Sequence, residues 1–265
     1  MTRAALAVSI DEGVASVTLD RPEVRNAFND DLVAELTSTF RALDTDPSVR
    51  VVVLGAQGPA FCAGADLNWM KRMAAFSFTE NEADGQALAD MLYTIYTCSK
   101  PIVARVQGDV FAGGMGLIAA CDVAVAVTTA QFCLSETRLG LLPATIGPYV
   151  IRALGVNAAR RYMISAERFD AAEAYRLGFV HELCQPEDLD DAIGDVVDAL
   201  LLCSPQALAE SKRMVREIEV RPIDQALRAD TARRIAQARA SDDGQEGIAA
   251  FLEKRKPRWA LGGRA

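Results

Sequence analysis

Histidine is nearly missing from this chain: of 265 residues, only His181 is one. A Ser-His-Asp or Cys-His nucleophile system needs an imidazole free to move protons, and this one follows the apolar pair Phe179-Val180, so such chemistry is not expected. Paired cysteine spacings are absent as well. Cys62, Cys98, Cys121, Cys133, Cys184 and Cys203 are scattered without a CxxC, and several lie in apolar runs, which fits buried thiols in a reducing compartment and argues against metal ligation. An excess of basic charge is also lacking, because 28 Lys and Arg face 36 Asp and Glu for a net charge of -8; no nucleic-acid surface is expected. No run approaches the ~20 apolar residues of a membrane span, and the opening MTRAALAVSIDEGVASVTLD alternates like a strand rather than reading as a signal peptide. The expectation is a cytoplasmic protein without a membrane partner. Neither a GxxxxGK[ST] phosphate loop nor a GxGxxG element is found.

What the chain does have is apolar content, 51% against 24% charged, and enough length for one large domain with an appendage. Leu6 to Leu19 reads as two strands joined at Glu12-Gly13, Asp30 to Leu43 as an amphipathic helix with an Asn/Asp start, and Val51 to Leu54 as a buried strand. Residues 70–99 look like a variable loop, with Met70, Met73, Phe76 and Phe78 as core, followed by an acidic helical stretch from Glu80 to Cys98. From Pro205 the pattern is helical and charge-rich through Arg258, with Ser204-Pro205 opening one helix and Asp224 near the start of another. The organisation expected is an α/β spiral of strands and helices over residues 1–200, then a helical module over 201–265.

Two small-residue turns stand out. Phe61-Cys62-Ala63-Gly64-Ala65-Asp66-Leu67 follows the apolar run Val51-Val52-Val53-Leu54, and Gly113-Gly114-Met115-Gly116 follows Ile102-Val103-Ala104; each leads into a helix-like pattern. Turns of this kind present unobstructed backbone N–H groups. A pair of such donors converging on one carbonyl oxygen stabilises an oxyanion or a thioester enolate, which makes acyl chemistry the leading idea.

The ordered series of motifs resembles the enoyl-CoA hydratase/isomerase (crotonase) superfamily. It comprises Arg21-Pro22-Glu23-Val24-Arg25-Asn26-Ala27-Phe28-Asn29, the 61–67 turn, Lys100-Pro101-Ile102-Val103-Ala104, Gly113-Gly114, Ala120-Cys121-Asp122-Val123-Ala124, Gln131-Phe132-Cys133-Leu134-Ser135-Glu136, Leu139-Gly140-Leu141-Leu142-Pro143 and Ala171 to Val180. Together these span most of the chain. The resemblance implies a crotonase-like ββα spiral whose C-terminal helices serve oligomerisation as a homotrimer, often paired into a hexamer. It also implies an acyl-CoA substrate, with coenzyme A as part of the thioester and no other cofactor.

Carried over residue by residue, the resemblance makes the N–H groups of Ala65 and Gly113 the oxyanion donors, with Gly113 opening a helix to Ala120 whose dipole favours negative charge. Glu136 stands where the hydratase pattern has a glutamate that handles the proton and the water. Shielding in an acyl pocket would raise its pKa toward neutrality. Ala63, Asp66 and Leu67 of the first turn fall along the substrate by the same reasoning. Arg25 falls near the CoA phosphates, where the tail Lys254-Arg255-Lys256-Pro257-Arg258 is a further candidate. Each of these cations is equally readable as a solvated charge.

One departure stands against the hydratase pattern: a second glutamate is usual six residues before the aspartate of the Cys-Asp pair, and here that position is Gly116. Glycine at this place would leave room for an acyl branch, and Asp109 or Glu82 are the neighbouring acids that would have to substitute. The run Ala65 to Met73, with Phe132 to Glu136 and Pro143 to Val150, is similar to bacterial methylglutaconyl-CoA and isohexenylglutaconyl-CoA hydratases of leucine and acyclic-terpene breakdown. That branch handles acyl chains bearing a carboxylate, with which Lys71 or Arg72 would pair. The expected activity is water addition to, or removal from, a short or branched enoyl-CoA. A Δ-isomerase using Glu136 alone and a non-catalytic acyl-CoA-binding protein are the alternatives.

Overall fold

The computed structural model describes residues 5–260, so the first residues of the alternating N-terminal stretch and the last of the helical tail lie outside the described residues. The chain opens as a hairpin of β1 (Leu6–Asp11) and β2 (Val14–Leu19). Glu12 at φ 45° and Gly13 at φ 85° make the left-handed turn that matches the twist of paired antiparallel strands. Next, β2 pairs in parallel with β3 (Val51–Ala56), and the sheet continues through β5 (Ile102–Val106), β7 (Val123–Val127) and β10 (Glu182–Cys184) in a 6-stranded order β1-β2-β3-β5-β7-β10. Every residue of β3 is buried, as its unbroken apolar run requires of a strand covered on both faces.

A second, 4-stranded sheet of β4 (Ala60–Cys62), β6 (Asp109–Phe111), β8 (Gln131–Cys133) and β9 (Phe169–Asp170) is built from the short strands that follow the long ones. It carries the turns of interest at its strand ends. The helix α1 (Asp30–Thr45) is capped by the Asn29 side chain, which accepts the Leu32 N–H, and it buries Leu32, Val33, Leu36, Phe40 and Leu43 at helical spacing.

Residues 70–99 are not a loop. They form α2 (Leu67–Met73) and the long α3 (Phe78–Thr97), which starts at a capping box of Ser77 and Glu80. The acidic helical stretch expected from Glu80 to Cys98 is the body of α3, whereas the residues before it, expected as a variable loop, are mostly helical too, in α2 and the start of α3. Phe78, expected in the core, is 82% exposed, while Met91, Leu92 and Ile95 carry the burial.

The helix α4 (Gly113–Ala120) is apolar all round and buried nearly throughout, and α5 (Gly147–Ser165) packs on it. After α6 (Ala171–Arg176), β10 and α7 (Leu189–Leu201), the described chain is helical: α8 (Pro205–Ile218), α9 (Gln225–Ala240) and α10 (Asp242–Leu252), with side-chain caps from Ser204, Asp224 and Ser241. These helices are tied to the strands by cations. Lys212 Nζ pairs with Asp122 at 2.6 Å and donates to the Lys100 carbonyl, and Arg216 donates to the Tyr96 carbonyl. The Arg50 guanidinium, at the foot of β3, donates to the carbonyls of Leu201, Cys203 and Trp259. Among the described residues, no single helix is long and apolar enough to cross a membrane.

Candidate active site

The first turn is held by the segment before α1. Arg25 (φ 52°) and Asn26 (φ 55°) are both left-handed, which swings the chain back so that the Arg25 carbonyl accepts the Ala63 N–H at 3.0 Å. Phe28 then lies in a parallel bridge with Ala65, giving its N–H to the Gly64 carbonyl at 2.7 Å and taking the Asp66 N–H at 2.8 Å. In a parallel bridge the flanked residue turns its own N–H to the opposite edge, so the Ala65 N–H is left without an acceptor among the described residues.

Asn26 anchors this segment. Fully buried, it takes the Arg21 N–H on Oδ1 and donates Nδ2 to the carbonyls of Gln57 and Ala60. Sequence reasoning quoted Asn26 within a motif but gave it no role.

The second turn presents the N–H of Gly113, first residue of α4 and so one of the orphan donors of a helix start. Glycine is needed here because a Cβ would stand 2.6 Å from the Phe28 ring. Phe28 thus holds the first turn by its backbone and touches the second by its ring. The two turns also meet directly: a Cβ on Gly64 (φ 94°) would lie 3.1 Å from the Ala112 methyl.

Glu136 enters from the same small sheet. The Ala112 N–H donates to the Cys133 carbonyl at the end of β8, and Glu136 follows at the start of a 3-10 turn, Glu136–Leu139, against which α5 packs as it does on α4. Its Oε2 is buried with no hydrogen-bond partner among the described residues. Burial pushes the Glu136 carboxyl above its usual range, only partly opposed by a hydrogen bond from its own N–H. A buried acceptor without a partner is rare in a folded protein and marks a place prepared for something else to meet it.

Other expected site residues fare differently. Asp66 is 7% exposed and its carboxylate is already committed: Oδ1 caps α2 through the N–H groups of Asn68 and Trp69, and Oδ2 pairs with Arg21 at 2.9 Å. Burial pushes its carboxyl up, but these donors outweigh that and hold it below the ordinary range. Its carboxylate therefore works as a cap and an ion-pair partner inside the fold.

Gly116 is a correction as well. It is buried, and a Cβ there would stand 2.3 Å from Ile146 Cγ2, so the room expected for an acyl branch is filled by an isoleucine. Asp109 accepts the Gln131 N–H between β6 and β8, and Glu82 is exposed on α3. Ala63 is half-buried, whereas Leu67, Lys71 and Arg25 lie at the surface, with Leu67 74% exposed. Arg72 pairs with Asp30. Arg255 and Arg258 of the tail pair with Glu246 and Asp243. His181 accepts the Ala124 N–H on Nδ1, and burial lowers its pKa, the environment of a satisfied core imidazole. Among the described residues no group of three or more His, Cys, Asp or Glu is placed to hold a metal ion.

Comparison with known proteins agrees with this architecture. Residues 9–261 match the enoyl-CoA hydratase/isomerase family model. The crystal structure of an enoyl-CoA hydratase from Shewanella pealeana superposes with a TM-score of 0.94 at 43% identity, covering 96% of each chain. The 2,3-dehydroadipyl-CoA hydratase of Escherichia coli is 34% identical over 95% of this chain and 97% of its own length, and the crotonyl-CoA hydratase of Syntrophomonas wolfei is 31% identical over 93% and 94%. With the crotonase fold and the family model both spanning nearly the whole sequence, the chain belongs to the enoyl-CoA hydratase/isomerase family and is an enzyme of the enoyl-CoA hydratase type.

Proposed function

We propose that the protein adds water to, or removes it from, the double bond of a short or branched enoyl-CoA whose acyl chain carries a carboxylate, such as methylglutaconyl-CoA. The N–H groups of Ala65 and Gly113 receive the thioester oxygen. As the oxygen of water bonds to the β-carbon, Glu136 takes its proton and the electron pair of the double bond moves onto the thioester as an enolate held by the two donors. Glu136 then gives the proton to the α-carbon. Coenzyme A enters as part of the substrate, and the chain itself supplies the proton carrier and the oxyanion donors.

The observation that carries this reading is the buried Oε2 of Glu136, without a partner among the described residues and one short turn beyond the strand that holds the second donor turn. Support for a carboxylate-bearing chain comes from Lys71, exposed on α2 next to the first donor turn and without an ion-pair partner among the described residues, and from the likeness to the 2,3-dehydroadipyl-CoA hydratase. Arg25 is placed to meet the CoA phosphates. The exposed apolar side chains of Ile223, Phe251 and Leu252 on the C-terminal segment support assembly as a trimer or hexamer.

The packing of Ile146 against Gly116 favours a second reading, migration of a double bond by Glu136 alone, because a single carboxylate suffices to carry a proton between carbons. One assay series tests both. Purified wild type is followed on methylglutaconyl-CoA, crotonyl-CoA and a 3-enoyl-CoA, and Glu136→Gln is expected to bind acyl-CoA yet lose turnover. Normal turnover by a folded Glu136→Gln refutes both readings.

A further inference from the structure

We propose that the methyl group of Ala112 is the spacer that fixes the direction of the Gly113 N–H, which makes Ala112 a positioning residue of the reaction; this rests on the reading of Gly113 as an oxyanion donor. Ala112 has φ 48° and ψ -116°, a backbone conformation that glycine adopts freely and that costs another residue about 1–3 kcal/mol. Glycine at this position would avoid the cost, so the contribution of the methyl lies in what it touches.

It touches the other turn. The nearest heavy atom to a Cβ built on Gly64 is the Ala112 methyl, at 3.1 Å, and Gly64 immediately precedes Ala65. The residue is also clamped on its backbone: its N–H goes to the Cys133 carbonyl at 2.9 Å and its carbonyl takes the Met115 N–H at 2.9 Å. The plane of the Ala112–Gly113 peptide, which contains the Gly113 N–H, is set by the ψ of Ala112. Turning that peptide over would break the Met115 bond. The methyl therefore does two things at once: it keeps the two donor turns apart by its own width, and it denies residue 112 the alternative φ values that a glycine would visit.

The test compares wild type, Ala112→Gly and Ala112→Ser by steady-state kinetics, thermal unfolding and the near-ultraviolet absorbance of bound acetoacetyl-CoA, whose enolate forms when donors polarise its thioester. Ala112→Gly relieves the backbone strain, so its Tm is expected to be no lower than wild type. Its kcat is expected to fall about tenfold, a fraction of the loss from deleting a donor outright, with KM changed less than threefold and the enolate band weakened. Ala112→Ser, which puts a Cβ back in the same place, is expected to recover most of the lost kcat and the band. Wild-type kcat and band in Ala112→Gly would overturn the inference, as would a serine variant no better than the glycine one. The band needs the donors but no hydration, so a wild-type protein that shows the band without hydration or isomerisation refutes the proposed function alone. A wild type without the band overturns the donor assignment and this inference together.

Discussion

Replacing Gly116 with alanine puts a methyl group where Ile146 already stands. The new Cβ would lie 2.3 Å from Ile146 Cγ2 and 2.8 Å from Ile146 Cβ, so the isoleucine must move by roughly an ångström to restore ordinary contact near ~3.5 Å. It has nowhere easy to go, being 2% exposed at the start of α5. Overpacking of this sort costs about 1–3 kcal/mol, against a gain of about 1 kcal/mol for alanine over glycine inside a helix, so a net loss of up to about 2 kcal/mol is expected. Ile146→Ala alone is expected to cost about 2–5 kcal/mol by leaving a cavity. In the double variant the methyl on residue 116 fills part of that cavity, and the combined loss should fall short of the sum by about 1–2 kcal/mol. Urea unfolding of wild type, both single variants and the double variant, with unchanged m-values, measures this directly. Additivity within about 0.5 kcal/mol would mean that Ile146 does not fill the space beside Gly116, and the packing reason for glycine at that position would be gone. The same pair tests the chemistry: Gly116→Glu is expected to raise crotonyl-CoA hydration only when Ile146→Ala has made room.

Glu136→Gln has a signature in stability as well as turnover. Because burial raises the folded-state pKa of Glu136, its contribution favours folding below the unfolded value and is lost as pH rises through the folded one. Thermal scans should therefore find the glutamine variant more stable than wild type near neutral pH, with that advantage gone in acid. The acid limb of the wild-type kcat profile should have its midpoint above the ordinary glutamate pKa. Asn26→Ala is expected to cost about 3 kcal/mol or more in chemical denaturation, since it strands the Arg21 N–H and the carbonyls of Gln57 and Ala60 inside the protein. Lys212→Met leaves Asp122 without its cation and should cost about 3 kcal/mol, with proteolysis in α8 speeding up before the sheet unfolds.

Local signals were legible in the sequence. The hairpin at Glu12-Gly13 and the caps at Asn29, Ser204 and Asp224 are fixed by residues within a few positions of one another. The fold class and Glu136 came from an ordered series of such signals. Contacts across the chain were not legible. That Ile146 stands on Gly116, that Arg21 takes up the Asp66 carboxylate, and that Phe28 touches Gly113 depend on tertiary approach, to which neither propensity nor periodicity refers. Of α3 the acidic helical stretch from Glu80 was legible, and its packing on α1 was not. Gly113→Pro, the obvious way to delete a donor from sequence alone, is uninformative for this reason: any side chain at residue 113 meets the Phe28 ring before the loss of its N–H is felt.

The grip of Arg50 on the Trp259 carbonyl reaches across 209 residues, and it has a consequence for how the molecule is made. A ribosome adding about 5–20 residues per second needs roughly 10–40 s to synthesise that interval. For much of it the first hairpin and β3 are outside the exit tunnel, with a guanidinium at their foot whose Leu201 and Cys203 carbonyls come 151 and 153 residues after it and whose Trp259 carbonyl comes last. The nascent spiral spends that time as an unfinished edge, in the hands of whatever chaperones wait at the tunnel mouth, and becomes a closed molecule only as the last helices emerge.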